Sequence, residues 1–160
     1  MICHSNIKYL YIGKERDIFE EYANRCFEEI IKENLRSKGG MLIAPRAIWL
    51  ADFLLIVTDK TYTNCLGIAA VNKRSNPYTF RDELYITQIA VKNDYKRLGI
   101  GKSMVQELID NHNCDITCQI NDFNTVSQVF FTNLGFEAGS GEDHPYFYRR
   151  NYYKSLKKTY

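Results

Sequence analysis

A glycine loop between an apolar run and a helical pattern contains the residues whose chemistry is easiest to interpret: Lys96, Arg97, Leu98, Gly99, Ile100, Gly101, Lys102 and Ser103. Glycine lets a backbone approach an anion closely and adopt angles that other residues resist. The junction of a strand with a helix also gathers unpaired backbone N–H groups at the positive end of the helix dipole. Together with the basic side chains of the loop, these properties predict a site for a phosphate or a pyrophosphate.

Two well-known nucleotide-binding motifs share parts of this pattern, and neither fits. The ending Gly101-Lys102-Ser103 is that of an ATP-type phosphate loop, but Lys96 stands where that motif requires a glycine. A dinucleotide motif requires its third glycine at the position of Met104, within an early strand-helix-strand unit that has an acidic partner. We therefore reject both interpretations.

A second pattern follows the loop on the next predicted helix and ends at a glycine. Its residues are Asn124, Ser127, Phe131 and the ending Leu134-Gly135-Phe136. The first three lie on one stripe of the helix. Taken alone, Gly99 and Gly101 would indicate only a tight turn, Asn124 only a helix cap, and Phe131 only a core residue. The two patterns in this order, on these elements, are more specific than either one alone.

With both patterns in place, the span from about Glu83 to Phe136 resembles the cofactor-binding half of the GCN5-related N-acetyltransferases, the GNAT superfamily. The family motif is [Q/R]-x-x-G-x-[G/A] at the start of a helix, and Lys96 departs from it mildly because it keeps the charge of Arg. The resemblance implies a single α/β domain over residues 1–160. Its sheet would be mixed and mostly antiparallel, with helices on both faces.

The resemblance also implies acetyl-CoA as cosubstrate and no metal. The pyrophosphate would bind the backbone of Arg97 to Lys102, the thioester would lie along the end of the central strand, and the pantetheine arm would face the Asn124 stripe. A backbone N–H near the thioester would polarise its carbonyl. The cofactor-binding residues implied are Ile89, Ala90, Val91, Lys96, Arg97, Leu98, Gly99, Ile100, Gly101, Lys102, Ser103, Asn124, Ser127 and Phe131.

The acid that would protonate the departing thiolate is open. Many family members have Tyr at the position of Phe131, and phenylalanine has no proton to donate. Ser127, one turn earlier on the same stripe, is one candidate for the acid, and Tyr146 or Tyr148 is another. A coenzyme A thiolate is a tolerable leaving group, so the reaction can also proceed without an acid.

The base that would take a proton from the amine is predicted to be Glu83, at the start of the central strand. The alternative is that Glu83 only occupies a solvated strand end. Thr87 and Gln88 are polar residues in the same apolar strand and can hold a water. Their alternative role is hydrogen bonding at the edge of the strand ladder.

The function expected is direct acetyl transfer to a primary amine of an unidentified small molecule, peptide or protein, with a homodimer possible. One rival is an enzyme that acetylates aminoacyl-tRNA, because aromatic and basic residues alternate from Tyr148 to Lys154. Another rival is a non-catalytic acyl-CoA sensor, because Phe131 has no proton to donate to a leaving thiolate. The acceptor is expected to enter over the first helix and the stretch from Gly39 to Arg46.

Composition supports an ordinary globular chain. The 160 residues are 45 % apolar and 25 % charged, and the net charge of +2 does not favour nucleic acid. The five cysteines are odd in number and are expected to be free thiols in the cytoplasm. Cys114 and Cys118 resemble half of a metal site without a second pair. No signal peptide or membrane span is recognised, since the longest apolar run is Phe53 to Val57.

Hydrophobic periodicity predicts the order β-α-β-β-β-α-β-α-β. The strands are predicted at Ile7–Ile12, Ile48–Thr58, Cys65–Val71, Leu84–Val91, Asp115–Ile120 and Tyr146–Tyr152. The helices are predicted at about Asp17–Leu35, Ser103–Asn111 and Asn124–Leu134. On the last helix, the residues predicted to face the core are Val126, Val129, Phe130 and Leu134.

Overall fold

A computed structural model of the chain describes residues 6–13, 20–36, 50–76, 80–121, 124–138 and 153–159. Seven strands are present in these ranges: β1 (Ile7–Ile12), β2 (Phe53–Asp59), β3 (Cys65–Ser75), β4 (Asp82–Val91), β5 (Asp115–Asn121), β6 (Glu137–Ala138) and β7 (Tyr153–Lys158). The helices are α1 (Glu20–Arg36), α2 (Ile100–Asn111) and α3 (Thr125–Asn133), and a short 3-10 turn covers Asn93–Tyr95. The α/β class predicted from the sequence is confirmed.

The chain divides into two compact units. The first unit contains residues 1–71 and 87–108, and the second contains residues 72–86 and 109–160. Strands β3 and β4 contribute to both units. The strand order is β1-β2-β3-β4 in the first unit and β4-β5-β7-β6 in the second. Pairing is antiparallel for β1 with β2, β2 with β3, β5 with β7 and β6 with β7, and parallel for β4 with β5.

In the first unit, helices cover both faces of the sheet. The apolar face of α1, formed by Ala23, Cys26, Phe27 and Ile30, packs with Leu54, Ile56, Ile68 and Ala70 of the strands. Residues on the opposite face of β3 approach α2, because a Cβ added to Gly67 would lie 2.8 Å from the sulfur of Met104. Since both faces are covered, β2 is buried from Phe53 to Thr58.

In the second unit, β4 and β5 are joined by parallel pairs from Glu83–Asp115 to Ile86–Cys118. Strand β5 then pairs with β7 from Ile116–Lys158 to Asn121–Tyr153. The buried apolar side chains of this unit are Leu84, Ile86, Ile116, Cys118, Ile120, Phe131 and Phe136. These side chains form the apolar interior of the second unit.

Several predicted boundaries differ from the structure. The strand predicted at Cys65–Val71 is longer, since β3 continues to Ser75 with polar side chains that alternate between half-buried and exposed positions. Strand β2 begins at Phe53 rather than Ile48. Helix α2 begins at Ile100, so the last glycine of the loop lies in its first turn. The strand predicted at Tyr146–Tyr152 lies outside the described residues.

The prediction for the buried side of α3 is wrong for Val126 and Val129, while Phe130 and Leu134 are half-buried. Val126 is 80 % exposed and Val129 is 58 % exposed, whereas Phe131 is only 3 % exposed. Apolar residues occupy several sides of this short helix, so hydrophobicity alone did not single out one stripe. The buried stripe is therefore the one that carries Phe131, and α3 presents valines to solvent.

Candidate functional site

The glycine loop forms a compact turn between β4 and α2. The N–H of Lys92 donates to the carbonyl of Leu66 at 2.9 Å, which holds the end of β4 against β3. The N–H of Lys96 then donates to Asn93 at 3.1 Å, and the N–H of Ser103 donates to the carbonyl of Gly99 at 2.9 Å. The bond from Lys96 closes the 3-10 turn, and the bond from Ser103 starts α2.

Two residues of this loop have left-handed backbones. Gly99 has φ of 88° and Arg97 has φ of 62°. A Cβ added at Gly99 would meet nothing within 4 Å, so conformation rather than crowding makes glycine the suitable residue there. Arg97 holds the same backbone region with a side chain, a conformation that concentrates at functional sites and turns. The loop is thus shaped by its backbone and leaves the space beside Gly99 open.

The start of α2 is suited to an anion. Its first turn contains no acidic residue, and Gly99 at the position before the helix has no side chain that could cap it. Lys96, Arg97 and Lys102 are exposed around it. The hydroxyl of Ser103 is buried and donates to the carbonyl of Ile100 at 2.8 Å, so this side chain serves the helix itself. Backbone N–H groups and exposed cations therefore converge where the sequence predicts a pyrophosphate.

The end of β4 precedes this loop. Ile89, Ala90 and Val91 are half-buried, and Ala90 packs against the apolar cluster that contains the buried face of α1. Lys92 reaches Glu29 of α1 at 3.6 Å. Together these contacts hold the end of β4 against α1.

The two polar residues of β4 that precede this segment differ. Thr87 Oγ1 donates to the carbonyl of Ala70 at 2.9 Å, so its alternative role, bonding within the strand ladder, is confirmed. Gln88 is half-buried, and its Oε1 is buried without a hydrogen-bond partner among the described residues. The solvent side of α1 borders a cavity of about 620 Å³ lined by Glu21, Tyr22, Asn24, Arg25 and Glu28.

Glu83 lies in a polar network of the second unit. Its side chain is buried and ion-paired with the Nε of Arg74, so the interpretation as a solvated strand end is wrong. Arg74 Nη2 also donates to Thr117 Oγ1 at 2.9 Å. The guanidinium carbon of Arg74 lies 4.2 Å from the centre of the Tyr85 ring. Arg74 therefore connects β3, β4 and β5.

Tyr85 is a polar residue that the sequence analysis did not single out. Its hydroxyl donates to Gln119 Oε1 at 3.4 Å, and the ring lies beneath Arg74. The two residues belong to neighbouring parallel strands and are 34 positions apart, so no local spacing could have signalled the contact. Arg74 and Glu83 also line a cavity of about 580 Å³ together with Lys73 and His112.

The helix that carries the second sequence pattern is capped by its own chain. Asn124 precedes α3, and its side-chain oxygen accepts a hydrogen bond from the N–H of Ser127 at 3.2 Å. The capping role considered for Asn124 is thus confirmed. Phe131 is buried between Phe130 and Phe136, with edge-to-face ring centroids 5.0 Å apart in both pairs. Contacts of these residues with a cofactor remain predictions.

The cysteines of the described residues are free thiols. Burial raises the pKa of Cys118 to about 12, and it also raises the pKa of Cys114. Both therefore stay protonated near neutral pH, the form that is a poor nucleophile. The described part of the chain contains no group of three or more His, Cys, Asp or Glu that could hold a metal ion. Within the same ranges, no helix is both long and apolar enough to cross a membrane.

Comparisons with known proteins agree on one fold. The model of the "Acetyltransferase (GNAT) family" matches residues 15–136. A GNAT-family acetyltransferase from Staphylococcus aureus superposes with a TM-score of 0.67 at 15 % identity, over 96 % of this chain and 98 % of that one. Naa50 from Arabidopsis thaliana, in complex with a bisubstrate analogue, superposes with a TM-score of 0.63 at 14 % identity, over 97 % and 99 %.

A NatC complex bound to Gag peptide and CoA superposes with a TM-score of 0.67 at 19 % identity, over 97 % of this chain and 99 % of that chain. No curated protein sequence matches the chain significantly. At these identities, the solved structures show a shared fold. The family match covers both the glycine loop and the α3 pattern.

Proposed function

Since the chain belongs to the acetyltransferase (GNAT) family, we propose that it transfers an acetyl group from acetyl-CoA directly to a primary amine of a small molecule, peptide or protein. The observation that carries the proposal is the start of α2. There an open glycine backbone, a helix N-terminus without acidic residues and exposed lysines converge. A diphosphate is the part of acetyl-CoA that such a site binds.

In this proposal, each part of the cosubstrate has its own residues. The backbone from Arg97 to Lys102 binds the pyrophosphate. The thioester lies along Ile89–Val91, where a backbone N–H polarises its carbonyl. The stripe of Asn124, Ser127 and Phe131 borders the pantetheine arm through its half-buried members Asn124 and Ser127, because Phe131 itself is only 3 % exposed. Two of the compared structures are named with a CoA-containing bisubstrate analogue and with CoA, which supports acetyl-CoA as the kind of cosubstrate proposed.

Proton transfer is assigned to residues of the second unit. Glu83 is the proposed base, and since its carboxylate is already paired with Arg74, we propose that a water carries the proton from the amine to it. Ser127 and Tyr146 are the proposed proton donors to the leaving thiolate, although Tyr146 and Tyr148 lie outside the described residues. Tyr85 is added as a third candidate, since its hydroxyl belongs to the network around Arg74.

The binding site is tested by titrating acetyl-CoA into the parent protein and its variants. Gly99→Glu is expected to weaken binding at least about 100-fold, because charge-assisted hydrogen bonds of roughly 1.5–3 kcal/mol each are lost to a competing carboxylate. The variant should stay folded, since a carboxylate near a helix N-terminus is stabilising. Thermal unfolding checks this.

Two controls separate charge from conformation. Gly99→Ala carries the same backbone strain, of roughly 1–2 kcal/mol, without a charge, and should bind far better than Gly99→Glu. Gly13→Glu adds the same charge at an exposed glycine of the β1 end, where an added Cβ meets nothing within 4 Å. It should bind like the parent. A folded Gly99→Glu variant with parental affinity would contradict the site.

Catalysis is tested separately, by following thiol release from acetyl-CoA over a panel of amines, peptides and aminoglycosides. Turnover on any acceptor supports the enzyme. Tight binding of acetyl-CoA without turnover on every acceptor would favour the sensor, the rival that Phe131 would suit. The tRNA rival has no supporting observation among the described residues, because most of the segment from Tyr148 to Lys154 lies outside them.

A further inference from the structure

Two buried polar atoms without a hydrogen-bond partner among the described residues lie in the first unit, Tyr22 Oη and Gln88 Oε1. Such atoms are rare in native proteins, because burying a polar group without a partner costs free energy. When one persists, it calls for a partner such as an ordered water, an ion or a bound molecule. The two atoms differ in what surrounds them.

Tyr22 lies on α1 beside the thiol of Cys26, and burial raises its pKa above the ordinary value. Its hydroxyl therefore stays protonated and faces a weak sulfur acceptor. Gln88 lies in β4, directly before the segment Ile89–Val91 that we assign to the thioester. Gln88 is thus the better candidate for a role in the reaction.

The direction of Gln88 follows from strand alternation. Residues two apart on a strand share a face, so Gln88 lies on the same face of β4 as Ala90. Ala90 packs against the cluster that includes the buried side of α1. The acceptor is expected to enter over α1, and Gln88 is therefore on its side of the strand. The neighbouring Thr87 contrasts with it, since its hydroxyl is bonded to Ala70.

We propose that Gln88 Oε1 accepts a hydrogen bond from the acceptor nitrogen and orients its lone pair toward the thioester carbonyl. This inference rests on the proposed function. In the transfer, the nitrogen lone pair forms the C–N bond, the C–S bond breaks, and coenzyme A leaves as a thiolate. The amine proton goes to the base and the thiolate takes a proton from the acid or from water. Gln88 gains and loses no proton, so it positions the nucleophile.

This role favours acceptors with at least two N–H hydrogens. One N–H donates to Gln88, and the other hydrogen is the one removed when the amide forms. A secondary amine has a single N–H after deprotonation and cannot do both. The specificity predicted is therefore for primary amines over secondary amines of similar basicity.

The test uses the amine that the parent acetylates fastest in the panel. Gln88→Met keeps the length of the side chain and removes the acceptor oxygen. It should raise the KM for that amine about 10-fold or more, in line with one hydrogen bond to a charged or polar donor. The Kd for acetyl-CoA should not change. The melting temperature should stay the same or rise, because an unpartnered buried oxygen is removed.

Two matched variants complete the experiment. Gln88→Glu keeps an acceptor oxygen and should keep the amine KM within a few-fold of the parent. Thr87→Val removes a hydroxyl that has a partner, so it should lower the melting temperature without changing the amine KM. These opposite outcomes distinguish a positioning residue from one that only supports the strand.

The results that would contradict the role of Gln88 differ from those that would contradict the proposed function. Parental KM in Gln88→Met would overturn the inference while leaving the proposed function intact. A lower melting temperature together with weaker acetyl-CoA binding would also overturn it, because that result indicates a structural role. If the parent releases no coenzyme A with any amine, the proposed function fails, and the inference about Gln88 fails with it.

Discussion

Two loops of the first unit solve the same problem of exposed backbone N–H groups in different ways. In the turn from Asp59 to Asn64, the chain supplies its own anion. Asp59 Oδ1 accepts from the N–H of Thr63 at 2.8 Å, and Oδ2 accepts from the side-chain amide of Asn64 at 2.7 Å. The glycine loop has a left-handed backbone as well, but no acidic residue in the first turn of the helix it begins.

The comparison shows that a left-handed backbone occurs both in a turn closed by its own side chains and in an open turn before a helix. Tyr62, with φ of 59°, serves a hairpin whose polar groups are satisfied internally. Gly99 and Arg97 lie in a turn that leads into a helix without an acidic residue in its first turn, and the anion that we propose there is the diphosphate of acetyl-CoA. A loop closed by its own side chains contributes to stability, whereas an open loop is available to a ligand. Variants at closed sites should therefore change unfolding, and variants at the open loop should change binding.

The largest stability effect is expected at Arg74, in the closed network of the second unit. Arg74→Met removes a cationic partner of the buried carboxylate of Glu83 and should cost about 3 kcal/mol of unfolding free energy. Arg81→Met is the matched control, because Arg81 is 49 % exposed and pairs with Asp115 at 3.2 Å. The carboxylate of Asp115 is only 1 % exposed, but the pair is screened by solvent at its half-exposed cation, so the loss of Arg81 should cost less than that of Arg74, about 1–2 kcal/mol. Urea unfolding measures both.

Two results would contradict this description of the network around Glu83. Equal losses in the two variants would mean that the network around Glu83 contributes no more than a pair whose cation is half exposed. A large fall in kcat for Glu83→Gln with unchanged unfolding would instead support Glu83 as the base and weaken its description as a closed, structural site.

A smaller effect is expected at Asn124, where the chain caps α3 itself. Asn124→Ala should lower the unfolding free energy by about 1 kcal/mol, because the N–H of Ser127 loses its acceptor. Asn124→Asp keeps the acceptor and should restore most of that stability. Acetyl-CoA titration then sharpens the comparison. Weaker binding in Asn124→Ala but not in Asn124→Asp would support the proposed contact with the pantetheine arm.

The smallest effect is expected at Asp59 and depends on pH. Hydrogen bonds from Asn64, Thr63 and Thr61 outweigh desolvation and lower the pKa of Asp59 below its ordinary value. A lowered folded pKa means that this stabilisation is complete above the unfolded pKa and is lost as pH falls through the folded pKa. The parent should therefore lose melting temperature below about pH 4. Asp59→Asn should show less of that dependence, with acetyl-CoA binding unchanged at pH 7.

Long, strongly patterned elements were predictable from sequence. Helix α1 repeats apolar residues at helical spacing and β4 is a continuous run of strand-forming residues, so both were located within a few positions. Local sequence also located the glycine loop, because a left-handed turn before a helix depends on the identities of a few neighbouring residues. Helix α3 was located too, but its buried side was not.

The failures share a cause. Val126, Val129 and Phe131 are all apolar, and only the surface against which α3 packs selects which of them is buried. The contacts of Arg74 with Glu83 and Thr117 depend on the register between neighbouring strands, which turn chemistry and burial set together. The environment of Glu83 was mispredicted for the same reason.

By itself, the sequence determined the α/β class, the position of the glycine loop and the family pattern across residues 83–136, because each depends on spacing along the chain. Tertiary structure decided that Phe131 is buried, that Glu83 is paired with Arg74 and that Gln88 Oε1 has no hydrogen-bond partner among the described residues while Thr87 does. Burial and pairing are properties of neighbours from distant parts of the chain, and no local spacing encodes them.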